Sequence, residues 1–235
     1  MTDRRVMMLT GGSRGIGADI ARAAQAGGWY VCLGLRDPSV QPDGVDPNHA
    51  DTFAYDATDR TAEAHWVNAV VSRLGRIDAL VASAGLFTGD SVLDASEDDV
   101  DTLLEVNVRA PRRLAIAAWP ALQASARARV VILGSLSGKR VASKGSGLYS
   151  VSKFAAVGLA HALRHEGWES GIRATAICPG LVATEMGQTA AKGSVPADAM
   201  TQPTEVANLV MEIIGLSNTA SVAEVHISSR LDGIF

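Results

Sequence analysis

Cysteine is scarce in this 235-residue chain, which has only Cys32 and Cys178, far apart in sequence and each inside an apolar run. With no metal-ligand spacing around either, they read as buried free thiols. A basic excess is missing too. The formal net charge is −4 and the Lys and Arg residues are scattered, so neither nucleic acid nor an anionic membrane surface is an electrostatically matched partner. Long apolar runs are also absent. Val6 to Leu9 is the only apolar stretch near the N-terminus, too short for a signal-peptide core, and Gly, Ser or a charge interrupts every later run before membrane-spanning length. A cytoplasmic location is therefore expected. His161 and His165 have the i, i+4 spacing of a zinc pair, but no Glu follows the first and no third ligand stands nearby in sequence. No metal is expected; the pair reads as a solvated or interface face of a helix.

What the chain does have is apolar mass: 47% of its residues are hydrophobic and 20% charged, enough to bury the core of one α/β domain over residues 1–235. Short β-rich runs alternate with segments of helical period. Strands are expected at Arg5 to Thr10, Trp29 to Leu35, Thr52 to Tyr55, Ile77 to Ser83, Arg129 to Gly134, Arg173 to Cys178 and Val222 to Ile227. Most are near-continuous apolar runs, such as Val130 to Leu133, as parallel strands covered on both faces require. Helices are expected at Ile16 to Ala26, Thr61 to Leu74, Ser96 to Gln123, Tyr149 to Trp168 and Thr204 to Ile214. The pattern predicts an α/β doubly wound (Rossmann) fold, a seven-stranded parallel sheet with helices on both faces. Pro38 to Ala50 reads as a surface loop. Residues 186–202, rich in small and polar types and following a strand end, read as a mobile substrate lid.

The first strand runs directly into Thr10-Gly11-Gly12-Ser13-Arg14-Gly15-Ile16-Gly17 and then a helix. Glycines let the backbone turn tightly and approach a pyrophosphate, whose charge the free N–H groups of a helix start favour. The spacing is Gly-x-x-x-Gly-x-Gly rather than the dinucleotide fingerprint Gly-x-Gly-x-x-Gly, so the order of strand, glycine turn and helix carries the reading. The second strand closes with Leu33-Gly34-Leu35-Arg36, without the carboxylate that would accept bonds from ribose hydroxyls. Arg36 and Arg14 instead suit a 2′-phosphate, which makes NADP(H) the expected cofactor; two solvated arginines are the alternative. Asp37 falls beyond the strand, next to Pro38.

Tyr149 and Lys153 stand one helical turn apart at the start of a long helix. An ammonium beside the phenol is expected to lower its pKa from about 10 and let it trade protons with an alcohol or carbonyl oxygen. Ser135, just past the apolar strand, offers a hydroxyl to that same oxygen. Tyr-x-x-x-Lys alone is commonplace; the serine and the glycine loop give it meaning.

Together these residues resemble the short-chain dehydrogenase/reductase family over essentially the whole chain. The resemblance rests on Thr10 to Gly17, Asp56, Ala84-Gly85, Asn107, Ser135, Tyr149, Lys153, and Pro179-Gly180 with Thr184, in family order. It implies a catalytic tetrad of Asn107, Ser135, Tyr149 and Lys153, and direct hydride transfer between nicotinamide and substrate carbon. It further implies that Asp56 binds adenine, Lys153 the nicotinamide ribose, and Val182 and Thr184 the carboxamide. A small-molecule carbonyl or alcohol is the implied partner, and a homodimer or homotetramer the implied assembly. Some positions depart from the family: Ala82-Ser83-Ala84-Gly85 replaces Asn-Asn-Ala-Gly, Thr175 replaces a common Asn, and Ser228 to Phe235 lacks the Asp-Gly-Gly finish. The segment from Gly138 to Gly145 is unusually basic, which suits an acidic substrate or a solvated loop. A nucleotide-sensing or scaffold protein on the same fold is the competing function, and an epimerase or dehydratase of the longer branch a third. Pro111 deprives the Asn107 carbonyl of its helical N–H donor, which predicts a helix break at Asn107. A packing kink is one reading, and the resemblance implies the other, a water held there and leading toward Lys153.

Overall fold

In the computed structural model, which describes residues 4–231, seven parallel strands form one sheet in the order β3-β2-β1-β4-β5-β6-β7. They are β1 (Val6–Thr10), β2 (Tyr30–Leu35), β3 (Ala50–Ala54), β4 (Ala79–Ala82), β5 (Arg129–Leu133), β6 (Arg173–Pro179) and β7 (Glu224–Ile227). Every residue of β1, β2, β4 and β5 is buried, which explains the unbroken apolar runs: side chains on both faces are covered. Met7 and Leu9 join one apolar layer and Met8 the other, so strand alternation divides the core in two. Helices α1 (Gly15–Ala26) and α7 (Pro203–Gly215) supply Ile20 and Val210 to the first layer. Helices α2 (Ala62–Leu74), α4 (Ala110–Ala124) and α5 (Gly147–Gly167) supply Trp66, Leu114 and Val157 to the second.

The order reverses between β1 and β4, and this switch point opens a crevice at the carboxyl ends of the strands. Thr10 closes the gap behind it, its Oγ1 accepting from the backbone N–H of both Ser83 and Ala84 at 3.1 Å. The Asn-Asn to Ala-Ser departure thus leaves this junction tied from the β1 side. Thr175 bonds to the Val222 carbonyl at 2.6 Å, linking β6 to the approach to β7.

The helix expected from Ser96 to Gln123 is three pieces. Helix α3 (Glu97–Leu104) starts at a capping box between Ser96 and Asp99, a π-helical turn spans Glu105–Arg109, and α4 follows. Within that turn the Ala110 N–H reaches Glu105, five residues back. Pro111, with no N–H to give, sits at the α4 start, where the lost donor costs least, and the chain absorbs the mismatch as one wide turn carrying Asn107.

Residues 186–202 carry more regular structure than their composition suggests. Helix α6 (Glu185–Ala191), capped by Thr184 on the Gly187 N–H, opens the segment, and Ala191, Val195 and Met200 bury themselves against Leu181 and Ala183. The strand expected at Thr52 to Tyr55 starts two residues and ends one residue earlier, and the other strand ends shift by at most two residues. No helix among the described residues is long and apolar enough to cross a membrane. The departure noted at the chain's end falls partly on residues 232–235, outside the described residues.

Candidate active site

A cleft of about 1550 Å³ runs along the carboxyl ends of the strands. The candidate cofactor and catalytic residues named from the sequence line it except Thr10, Gly12 and Asn107, which are buried behind its wall. At one end is the glycine turn. Gly11 adopts φ +70, and a Cβ there would sit 2.7 Å from the Ala84 nitrogen; a Cβ at Gly17 would lie 2.1 Å from the Gly11 carbonyl oxygen. Only glycine lets this loop fold back so closely.

Arg14 and Arg36 both line this end, in different states. Arg14 pairs with Glu185, the first residue of α6, at 2.9 Å, and both side chains are more than two-thirds exposed. No ion pair engages Arg36 among the described residues. Asp37 does not line the cleft: its carboxylate is occupied by the Ser39 N–H at 2.9 Å and the Ser39 hydroxyl at 2.6 Å, which hold it below the usual range. Asp56 caps its own turn through the Thr58 N–H and hydroxyl, at 2.9 and 2.8 Å.

At the other end Ser135, Tyr149 and Lys153 come together. Ser135 follows β5, and its hydroxyl is 3.4 Å from the Pro179 carbonyl at the end of β6. The Tyr149 ring is buried edge-on to Phe87, with centroids 5.1 Å apart. Burial pushes its phenol up to about 12, and a hydrogen bond with Ser135 offsets this only in part. The expected lowering by Lys153 is therefore not found in the protein alone. The reason is geometric: the Lys153 ammonium lies 5.7 Å from the ring centroid, donates to the Leu133 carbonyl at 2.7 Å, and is itself pushed down to about 8 by burial.

Asn107 holds this end together from behind. Its Nδ2 donates to the Leu86 carbonyl at 3.0 Å and to the Ser152 hydroxyl at 2.9 Å, and its Oδ1 accepts from the Leu86 N–H at 2.8 Å. Ser152 in turn donates to the Tyr149 carbonyl at 2.8 Å. The wide turn, the segment after β4 and the start of α5 are thus one hydrogen-bonded unit. The sequence reading missed Ser152, Phe87 and the Leu133 carbonyl. Ser152 adjoins Lys153 and carries a signal in hindsight, a hydroxyl on the buried side of an amphipathic helix; a backbone carbonyl carries none.

The basic stretch divides. Lys139 turns away to Glu224 and Lys144 pairs with Asp94 at 3.1 Å, while Arg140 lines the cleft.

A doubly wound sheet with a glycine turn at its switch point and a Tyr/Lys pair across the crevice defines a dinucleotide-type α/β fold. The family model for short chain dehydrogenase matches residues 5–194, and the chain belongs to that family of oxidoreductases. It is 36% identical over 236 residues to the agropine synthesis reductase of Rhizobium rhizogenes, covering 97% of this chain and 53% of that protein. The chain thus spans about half the length of that relative. It is 32% identical over 210 residues to the oxidoreductase UcpA of Escherichia coli (strain K12), covering 88% of this chain and 80% of that one. A short chain dehydrogenase from Burkholderia cenocepacia J2315, solved in complex with NADP, superposes with a TM-score of 0.86 at 30% identity, covering 96% of each chain.

Proposed function

We propose that this protein is an NADP(H)-dependent oxidoreductase that interconverts a carbonyl and an alcohol, with Tyr149 as the proton carrier. The observation that carries this reading is the convergence of Ser135, Tyr149 and Lys153 on one end of the cleft whose other end is the glycine turn. The residues fit the cofactor. The glycine turn leaves no room for a Cβ, as close approach of a pyrophosphate requires, and the cleft exceeds the ~300–1,000 Å³ of an ordinary small-ligand pocket. Arg36, with no carboxylate engaging it, and Arg14, held by a solvated and easily broken pair, favour a 2′-phosphate; the Burkholderia relative binds NADP. Gly11 to Gly17 would hold the pyrophosphate, with Thr10 behind them tying the turn to Ser83 and Ala84 rather than touching the cofactor. Asp56 would hold the adenine, Ala84 and Gly85 the adjoining ribose wall, and Pro179, Gly180, Val182 and Thr184 the nicotinamide side.

When bound, the nicotinamide supplies or accepts the hydride. The chain's own groups handle the proton. At neutral pH the buried Tyr149 phenol is protonated, the state required to give a proton to a carbonyl oxygen as that oxygen gains charge. The Ser135 hydroxyl, already bonded to the phenol, donates to the same oxygen and stabilises the charge that develops there. Lys153 keeps its ammonium at the cleft wall through the Leu133 carbonyl, placed to bind ribose hydroxyls and to favour the phenolate after transfer. Asn107 is a positioning residue, fixing Leu86 and, through Ser152, the backbone that carries Tyr149. Oxidation of an alcohol runs through the same groups in reverse.

Residues 1–235 act in this reading as one nucleotide-binding and catalytic domain, with 186–202 as the cover over the substrate. Val151 and Phe154 on α5 and Ile116 on α4 are about half exposed, an apolar surface suited to a second copy of the chain. The direct test is NADPH oxidation across ketones, 3-oxoacyl thioesters, sugars and polyol-derived carbonyls. Turnover of at least one class is expected; tight NADPH binding without turnover of any would support a nucleotide sensor instead.

A further inference from the structure

Behind the cleft, strand pairing assembles a group of ligating side chains that the proposed activity does not use. Cys178 on β6 stands opposite His226 on β7, and Glu224 lies two residues before His226 on the same face of the strand. That face looks toward α5, because Cys178 belongs to the apolar layer containing Ala156, Val157 and Ala160. The Cys178 sulfur, a Glu224 oxygen and a His226 nitrogen lie within 4.8 Å of one another. His161 reaches the same carboxylate from α5: its Nε2 is 2.5 Å from Glu224 Oε1, and His226 Nε2 is 2.9 Å from Oε2. None of the four lines the nucleotide cleft.

We propose that His161, Cys178, Glu224 and His226 form a binding site for a divalent cation of the zinc class, separate from the nucleotide cleft. Two imidazoles, a carboxylate and a thiolate are a four-ligand set of borderline hardness, and their summed charge of about −2 balances a divalent ion. Bonds of about 2.0–2.3 Å require ligand atoms about 3.3–3.8 Å apart in a tetrahedron, so Cys178, Glu224 and His226 are within small side-chain adjustments of that geometry. His161, which reaches the Glu224 carboxylate from α5, would have to swing in as the fourth ligand. Both histidine side chains are about one-third exposed.

An ion-pair network joins the histidines to Glu224, and the thiol stands beside it on the neighbouring strand. The Cys178 S–H is fully buried, and its sulfur lies within 4.8 Å of both a Glu224 oxygen and a His226 nitrogen. Cation binding exchanges that S–H for a sulfur–metal bond and releases one proton to solvent; nothing is oxidised or reduced. Lys139 currently supplies the balancing charge, its Nζ 3.0 Å from one Glu224 oxygen and 2.9 Å from the other. Its side chain is partly exposed and can withdraw into water, which makes it a competitor for the cation. The site also touches the back of the active end, since the Ser135 N–H bonds to the Cys178 sulfur.

The test is titration of the full chain, stripped by chelator, with Co(II). Expected is one equivalent bound with tetrahedral d–d bands and a thiolate-to-cobalt charge-transfer band, displaced by Zn(II). Cys178→Ser should abolish the charge-transfer band, and His226→Ala, on an edge strand and safe for folding, should weaken binding at least tenfold. Lys139→Met should tighten it several-fold by removing the competitor, which a purely structural role for Lys139 would not do. Absence of the band, affinity unchanged in His226→Ala, or no tightening in Lys139→Met would each overturn the proposal.

Discussion

The Lys153 ammonium donates to the Leu133 carbonyl oxygen at 2.7 Å, on a helix whose Tyr149 presents its ring centroid 5.7 Å away. Burial holds this lysine at about 8, so it is charged below that pH and loses its proton above it. If the charged form binds cofactor, kcat/KM for NADPH should fall on the alkaline side with an apparent pKa near 8. Lys153→Arg, charged throughout, should lose that limb even if its maximum rate is lower. An alkaline limb of unchanged position in the arginine variant would assign the titration elsewhere.

Cofactor choice should follow Arg36. Hydrogen bonds to charged groups are worth roughly 1.5–3 kcal/mol, so Arg36→Ala should weaken NADPH about 10-fold or more and leave NADH nearly unchanged. Glu185→Ala, which frees Arg14 from its 2.9 Å pair, should modestly strengthen NADPH. Steady-state kinetics with both cofactors check this; equal efficiency of NADH in the unaltered protein would refute it.

Stability should depend on Arg113. Its guanidinium joins Glu63 on α2, at 3.0 and 2.9 Å, to Glu105 in the wide turn and to the Ala57 carbonyl at 3.0 Å. Both carboxylates are almost wholly buried. Arg113→Ala leaves Glu63 with only the Tyr55 hydroxyl at 3.3 Å and Glu105 with the longer Arg109 and Arg60 contacts at 3.4 and 3.9 Å among the described residues. The variant should cost about 3–5 kcal/mol in denaturant unfolding, chiefly through Glu63. Glu185→Ala, at an exposed pair, should stay within about 0.5 kcal/mol. Similar losses in the two variants would show that burial does not set the difference.

What could be read from the sequence follows from how local each cause is. Fully apolar runs such as Val130 to Leu133 can only be covered strands, and Gly11 to Gly17 can only turn tightly, so sheet and cleft were legible. Pro111 marked the helix break, but not its form, because a π-helical turn depends on what Asn107 bonds to in space. The state of Tyr149 was misread for the same reason: spacing places Lys153 one turn away but does not show that its ammonium turns to Leu133. Spacing pairs His161 with His165, whereas the fold sets it against Glu224 of β7.

The most direct test of the central claim is Tyr149→Phe, measured for both NADPH affinity and carbonyl turnover. The substitution removes the proton carrier and leaves the glycine turn, Arg36 and Lys153 in place. The account predicts NADPH binding within a few-fold of the unaltered protein and turnover lowered by about 10²–10⁴ or more. Near-normal kcat in this variant would contradict the assignment of Tyr149 as the proton carrier.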